Sequence, residues 1–194
     1  CLPALSRNHV LENLVRGCQR PLIVFGPTRS SVVMAARMLR FRLNDTKIRY
    51  YHAGLSKEEK ARLESWFLLS DDGVLCATCA YGLGVDKSDI RTVVHLAPPF
   101  SVEAYLQESG RASRDDMGAD AWLIWTPDNL SEFKESSGGP AVSGNISRIG
   151  AVEASLARRH GMLRYVSSSH RCRREMLLEA LGTESSDCTG CDVC

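Results

Sequence analysis

Arg111 and Arg114 stand three residues apart beside Gly110 in the stretch Gln107-Glu108-Ser109-Gly110-Arg111-Ala112-Ser113-Arg114-Asp115. A guanidinium stays charged at any working pH, grips phosphate through parallel N–H donors and can offset the charge that builds on a transferring phosphoryl group. Two of them on a tight helix-to-loop corner can aim at one phosphate. A surface pair in a solvated, salt-bridged loop has the same spacing, so the residue types alone leave both readings open. The preceding segment reads as a short helix opened by Pro98, Pro99 and Ser101, with the Ser101 hydroxyl capping its first turn.

A second chemistry lies in the cysteines, which fall at 1, 18, 76, 79, 172, 188, 191 and 194. Cys188, Cys191 and Cys194 form CxxCxxC, and Cys172 precedes them on a segment expected to be helical from about Ser169 to Leu181, ended by Gly182. Four thiolates, one on a helix and three on a tight knuckle, suit tetrahedral zinc in a closed structural site. Such small lobes often lack enough core to fold without metal. An iron–sulfur cluster also takes four cysteines, but the context of a small lobe favours zinc. Metal spacing rather than paired half-cystines points to a reducing, cytoplasmic setting. The CxxC at Cys76 and Cys79 is not read as a metal or redox site, because alternation sends these residues into a sheet and its exit with no second pair nearby.

These residues need a scaffold, and the chain is long enough to supply one. With 194 residues, 44% hydrophobic and 24% charged, it suits one core-bearing domain plus an appendage. It has neither a run of 18 apolar residues nor a signal-like start, so a membrane-spanning or secreted protein is not expected. The net charge of +1 conceals a polarity: residues 1 to 49 hold nine Lys/Arg against two acids, whereas residues 50 to 140 hold eight against fifteen. From Arg148 to Arg174 seven basic residues face one acid, Glu153. Basic ends can form a surface for a nucleic-acid backbone or be simply solvated.

Five short apolar runs read as strands: 21 to 25, 48 to 52, 74 to 78, 93 to 96 and 121 to 125. Between the first two lies a helix with Val32, Ala35, Ala36, Leu39 and Leu43 on one face, preceded by Thr28, Arg29 and Ser30. A helix N-terminus is a natural phosphate seat, although capping the helix needs only one of those hydroxyls and is the default explanation. Ser56-Lys57-Glu58-Glu59 is a capping box opening the next helix, with Leu63, Trp66 and Phe67 toward the core. Strand and helix alternation implies a mostly parallel sheet whose ligands gather at the strand C-terminal edge. After Thr126 come a short helix at 128 to 134, a Ser/Gly-rich linker at 136 to 144 and a helix from about Ile146 to Tyr165.

QESGRASRD resembles motif VI of superfamily 2 helicases, and its QESGRA form is similar to the RecQ family of DNA helicases. Segment 26 to 30 resembles motif IV, Tyr51 to Leu55 (YHAGL) a recurring RecQ element, and ATCAYGLGVDKSDIR motif V; HRCRREMLLEALG followed by CTGCDVC is similar to the RecQ zinc-binding subdomain. The resemblance implies an α/β fold, a RecA-like parallel sheet flanked by helices, followed by a small helical zinc-binding subdomain, with a helicase lobe at 1–126 and linker plus zinc subdomain at 127–194. It assigns the arginine finger to Arg114 and a supporting phosphate role to Arg111. Gly84 and Asp86 are implied on the ATP side, and Thr28, Arg29, Ser30, His52, Gly54, Thr78, Gly82 and Lys87 on DNA. Cys172, Cys188, Cys191 and Cys194 would hold one zinc. The family usually has Gly where Ser113 stands, which puts a backbone angle that only Gly adopts easily in question, and Ser is expected to be tolerated there.

The implied activity is ATP-dependent 3′ to 5′ unwinding of duplex DNA in repair and recombination, in the cytoplasm, nucleoid-associated in a bacterium or nuclear in a eukaryote. Its partners would be single-stranded and duplex DNA and an N-terminal RecA-like lobe of the same polypeptide, with ATP and Mg as cofactors and no membrane. The sequence contains no GxxxxGK[ST], the loop that cradles ATP phosphates, so by itself this chain is expected to be inactive. It reads as a fragment, without the winged-helix domain common after the zinc site. Two other classes fit some of these features: a catalytically silent nucleic-acid-binding module, and an RNA helicase lobe of superfamily 2.

Overall fold

The computed structural model describes residues 2–3, 6–81, 87–115, 117–126, 146–184, 188 and 190–194. Gly82, Gly84, Asp86, the expected helix at 128–134 and the 136–144 linker lie outside them. Three four-residue strands, β2 (Leu22–Phe25), β4 (Val74–Ala77) and β5 (Thr92–His95), are buried at every position. Strands covered on both faces by helices need apolar residues throughout rather than in alternation. They form the middle of a sheet completed by β3 (Ile48–Tyr51), β6 (Asp120–Trp125) and a two-residue β1 (Leu2–Pro3), in the order β1-β6-β5-β2-β4-β3. Every pairing is parallel.

One face is covered by α1 (Arg7–Gly17) and α2 (Arg29–Leu43), which bury Leu11, Val15, Val32, Ala36 and Leu39 against Leu22, Val24 and Val94. The other carries α3 (Lys57–Leu68), where Phe67 packs with Ile23, Phe25, Tyr51, Tyr81 and Val93. The expected Ser56–Glu59 capping box is present, with Ser56 Oγ accepting from Glu59 N and Glu59 Oε2 accepting from Ser56 N. α1 lies outside the elements expected from the sequence, although Val10, Leu11, Leu14 and Val15 keep helical spacing.

The sheet leads through β5 into α4 (Val102–Ser109), and after 145 come α5 (Ile146–Ser167) and α6 (Arg173–Ala180). Met162, Tyr165 and Val166 of α5 share a buried cluster with Val102 and Tyr105 of α4 and Leu123 of β6. The C-terminal helices are therefore seated on the helix that ends in the two arginines. α6 begins later than expected, at Arg173, so Cys172 occupies its N-cap rather than its interior. Among the described residues no helix is long and apolar enough to cross a membrane.

Candidate functional site

α4 opens as expected: Ser101 Oγ accepts from Ala104 N at 3.2 Å. It closes at Gly110, whose N–H donates to Leu106 O; a Cβ there would lie 2.8 Å from that same oxygen, so only glycine fits the turn. The corner is then fastened to the segment that leads into β5. Ser113 N donates to Ile90 O and Arg114 N to Ser88 O, both at 3.0 Å. Ser113 takes the left-handed conformation, φ 59°, and its hydroxyl donates to Met117 O. A serine thus stands where the backbone favours glycine, with one local hydrogen bond offsetting part of the strain.

Arg91 and Asp115 clamp the far side through two parallel hydrogen bonds, one of 2.9 Å from Arg91 Nη1 to Asp115 Oδ1. That guanidinium holds the Asp115 carboxyl down at about 2. Arg111 is buried at 8% exposure, and burial followed by the charge of Arg114 pushes its pKa down. Arg114 is exposed, its Nε 3.5 Å from Gly110 O. Two guanidiniums that raise each other's energy form a seat that an anion stabilises. Behind them Glu108 Oε2 lies 2.9 Å from His95 Nε2, and the His95 ring packs against Phe25 and Tyr105 at 5.4 and 5.0 Å between centroids. No sequence motif marks His95; its place at the end of a buried strand, thirteen residues before Glu108, is the one cue to it.

A second group gathers where β2 and β3 end. Thr28 caps α2, its Oγ1 accepting from Ser31 N at 3.1 Å and lying 3.0 Å from Ser30 Oγ. The Arg29 guanidinium reaches across to the turn after β3: a Cβ on Gly54 would lie 3.0 Å from Arg29 Nη1 and 3.3 Å from His52 Nδ1. Gly54 therefore keeps that approach open. The His52 ring stacks on Tyr50 at 5.7 Å. Thr28, Arg29, Ser30, His52 and Gly54 are thus brought together, with Thr28 to Ser30 exposed. Thr78, 8% exposed, follows β4 and donates its N–H to Tyr51 O, which puts it beside this group but largely covered.

Lys87 does not belong there. Its side chain is 2% exposed, donates to Leu68 O at 3.1 Å, pairs with Asp89 at 2.9 Å and lies over the Phe67 ring. A buried ammonium with its donors committed anchors the segment that leads into β5 and cannot reach a strand of DNA without breaking those bonds. The expected DNA contact is corrected on that ground.

The four sulfurs of Cys172, Cys188, Cys191 and Cys194 all lie within 4.8 Å of one another. Zinc–sulfur bonds of about 2.3 Å make a tetrahedron with edges of about 3.8 Å, so small inward shifts close the set around one zinc. For Cys191, burial is outweighed by backbone N–H donors, Arg173 N the foremost at 3.5 Å, which bring the thiol down to about 6 and favour the thiolate a metal needs. Arg173, 8% exposed, spans the whole subdomain: its guanidinium bonds Asp192 at 3.0 Å, donates to Tyr165 O and lies over the Tyr165 ring. It ties the knuckle to α5. Arg173 and Asp192 each follow a ligand cysteine in sequence. Cys76, by contrast, is fully buried, its thiol pushed up to about 12 by that burial, while Cys79 is exposed.

Residues 6–116 match the family described as helicase conserved C-terminal domain, and residues 147–194 match RecQ zinc-binding. The chain is 32% identical over 180 residues, 89% of its length, to the ATP-dependent DNA helicase RecQ of Pasteurella multocida, of which it spans 26%. It is 33% identical over 181 residues, again 89% of its length, to the ATP-dependent DNA helicase hus2/rqh1 of Schizosaccharomyces pombe, of which it spans 13%. In fold it is similar to domain 2 of the DEAD-box helicase Mss116p, solved bound to an RNA duplex, with TM-score 0.58 and 14% identity over 94% of this chain and 85% of that one.

Proposed function

The chain belongs to the RecQ helicases, of which it carries the conserved C-terminal domain and the zinc-binding segment, and on that premise we propose that it is the second motor lobe of an ATP-dependent 3′ to 5′ DNA helicase. We take residues 1–126 as the motor lobe and 127–194 as linker and zinc subdomain. The observation that carries the reading is the seating of the four-cysteine unit, through α5, on α4, the helix that delivers Arg111 and Arg114.

ATP with Mg would be held in a cleft against the N-terminal RecA-like lobe of the longer polypeptide. Arg114, exposed at the corner, would reach the terminal phosphate and offset the charge that develops as it is transferred. Arg111, buried beneath it, would hold the corner's shape and add to its field. Thr28, Arg29, Ser30, His52, Gly54 and Thr78 would hold the DNA backbone at the strand ends. Gly82, Gly84 and Asp86, outside the described residues, would complete these two contacts. Phosphate contacts of this kind give little base specificity and a strong salt dependence.

The corner is fastened at the start of β5, whereas the DNA group follows the ends of β2 and β3, so one cycle of cleft closure would be transmitted across the sheet. The link runs through Tyr81, which packs on Tyr51 and Phe67 and feels the Arg111 charge. Such a protein would work in repair or recombination, on the nucleoid of a bacterium or in a eukaryotic nucleus. The test is unwinding by the intact polypeptide with Mg-ATP on duplexes bearing a 3′ or a 5′ single-stranded tail. The proposal expects opening of the 3′-tailed DNA; opening of only the 5′-tailed DNA, or only of RNA duplexes, would contradict it.

A further inference from the structure

Six arginines of this chain are matched with acids: Arg16 and Arg42 with Glu12, Arg20 with Asp45, Arg91 with Asp115, Arg171 with Glu179, Arg173 with Asp192. Arg40 of α2, Arg49 of β3 and Arg62 of α3 have no ion pair among the described residues. All three line a single open groove of about 570 Å³ beside β3, together with Thr46, Tyr50 and Leu55. The groove has one acid, Glu59, and that carboxylate already accepts from Ser56 N at 2.8 Å to cap α3. The Arg49 guanidinium carbon lies over the Trp66 ring, 4.1 Å from its centroid, a contact that holds its fork in place. Burial and the charge of Arg40 both push its pKa down.

β3 is the outermost strand, and the arginines approach it from both sides, Arg40 from α2 and Arg62 from α3. A second hollow of about 330 Å³ continues past Arg40 to Arg37 and Phe41, whose ring is 89% exposed. At its other end the groove reaches Leu55, the last residue of the turn that carries His52 and Gly54. Tyr50, on the groove wall, stacks on His52, and Arg29 stands over Gly54. The groove is thus continuous with the group at the strand ends.

We propose that this outer edge of β3 is a second phosphate track for single-stranded nucleic acid, gripped by Arg40, Arg49 and Arg62, along which the strand continues after leaving Thr28 to Gly54. The inference rests on the reading of those strand ends as a nucleic-acid contact. Cations interleaved with aromatic faces suit a flexible polyanion that carries bases. A peptide adding to β3 would instead be read through the free backbone groups of the strand.

The test is fluorescence anisotropy of the full chain with 5′-labelled oligothymidylates of about eight and about thirty nucleotides, across a salt series. Arg40→Glu with Arg62→Glu is the reversing pair, Arg40→Lys with Arg62→Lys the charge-keeping pair, and Arg49 is left on Trp66 to protect the fold. The proposal expects the reversed variant to lose about tenfold in affinity for the long oligonucleotide, with its salt slope lower by about two, and less than about twofold for the short one. The lysine variant should stay close to the parent. Arg29→Ala should weaken both lengths, which reports on the strand ends separately from the track. Equal effects of the reversed variant on both lengths, no effect on either, or displacement by polyglutamate as effective as by the long oligonucleotide would overturn the track. Failure of the parent chain to bind either oligonucleotide, or indifference of both lengths to Arg29→Ala, would remove the reading on which it rests.

Discussion

At the scale of single residues, the arginine corner is held by electrostatics that pH can undo. Asp115, pulled to about 2 by Arg91, has a folded pKa below its unfolded value of about 3.9. Its contribution is therefore complete above the unfolded value and is lost as pH falls through the folded one. Asp115→Asn should flatten the acid limb of stability between about pH 4 and 2 and lower stability at neutral pH, read as urea midpoints against pH. Midpoints that fall in parallel for parent and variant over that range would contradict the clamp. At Ser113 the departure from Gly put a glycine-type backbone angle in question, and the corner keeps that angle, φ 59°, with serine tolerated in it. Lys87 shows the limit. A lysine after a glycine loop looks like a phosphate contact, but whether it turns out to solvent or in toward Leu68 O depends on Phe67 and Asp89, neither of which its local pattern reveals.

Elements were more legible than side chains. Runs such as Leu22–Phe25 and Val74–Ala77 are apolar throughout because both faces of those strands are covered, and a short continuous run is itself the signal. Capping at Ser56 and Ser101 was readable because it depends on residues three apart in sequence. What could not be read was the order of the strands and the late start of α6, both set by tertiary packing. The bond from Arg173 N to Cys191 Sγ places the first thiol at the cap of α6, where it faces the knuckle. Arg173 then carries the load of the unit by joining Asp192 to Tyr165 O. Arg173→Ala should weaken zinc affinity by about tenfold or more in chelator competition while leaving all four thiols in place. Unchanged affinity would mean that the knuckle needs no support from α5.

In the whole molecule the two matched regions share a core. Phe25, His95, Tyr105 and Tyr165 form a chain of ring contacts from the central strand through α4 to α5, with centroids 5.0 to 5.4 Å apart. Met162, fully buried beside Tyr105 and Leu123, is the hydrophobic end of that joint. Met162→Ala should cost about 2 to 5 kcal/mol, seen as a loss in urea denaturation that includes the zinc unit; a cost below about 1 kcal/mol would show the joint to be loosely packed. Such a joint seats the C-terminal helices against α4, the helix that leads into the arginines.

Arg114 is proposed to act on ATP held by another lobe, while the strand ends and the β3 edge are proposed to hold the nucleic acid. This division is tested most directly by DNA-stimulated ATP hydrolysis in the intact polypeptide, parent against Arg114→Ala, with DNA affinity measured alongside. The expected outcome is a loss of about a thousandfold or more in turnover with affinity for single-stranded DNA nearly unchanged. Near-normal turnover, or a parallel loss of DNA binding, would contradict it.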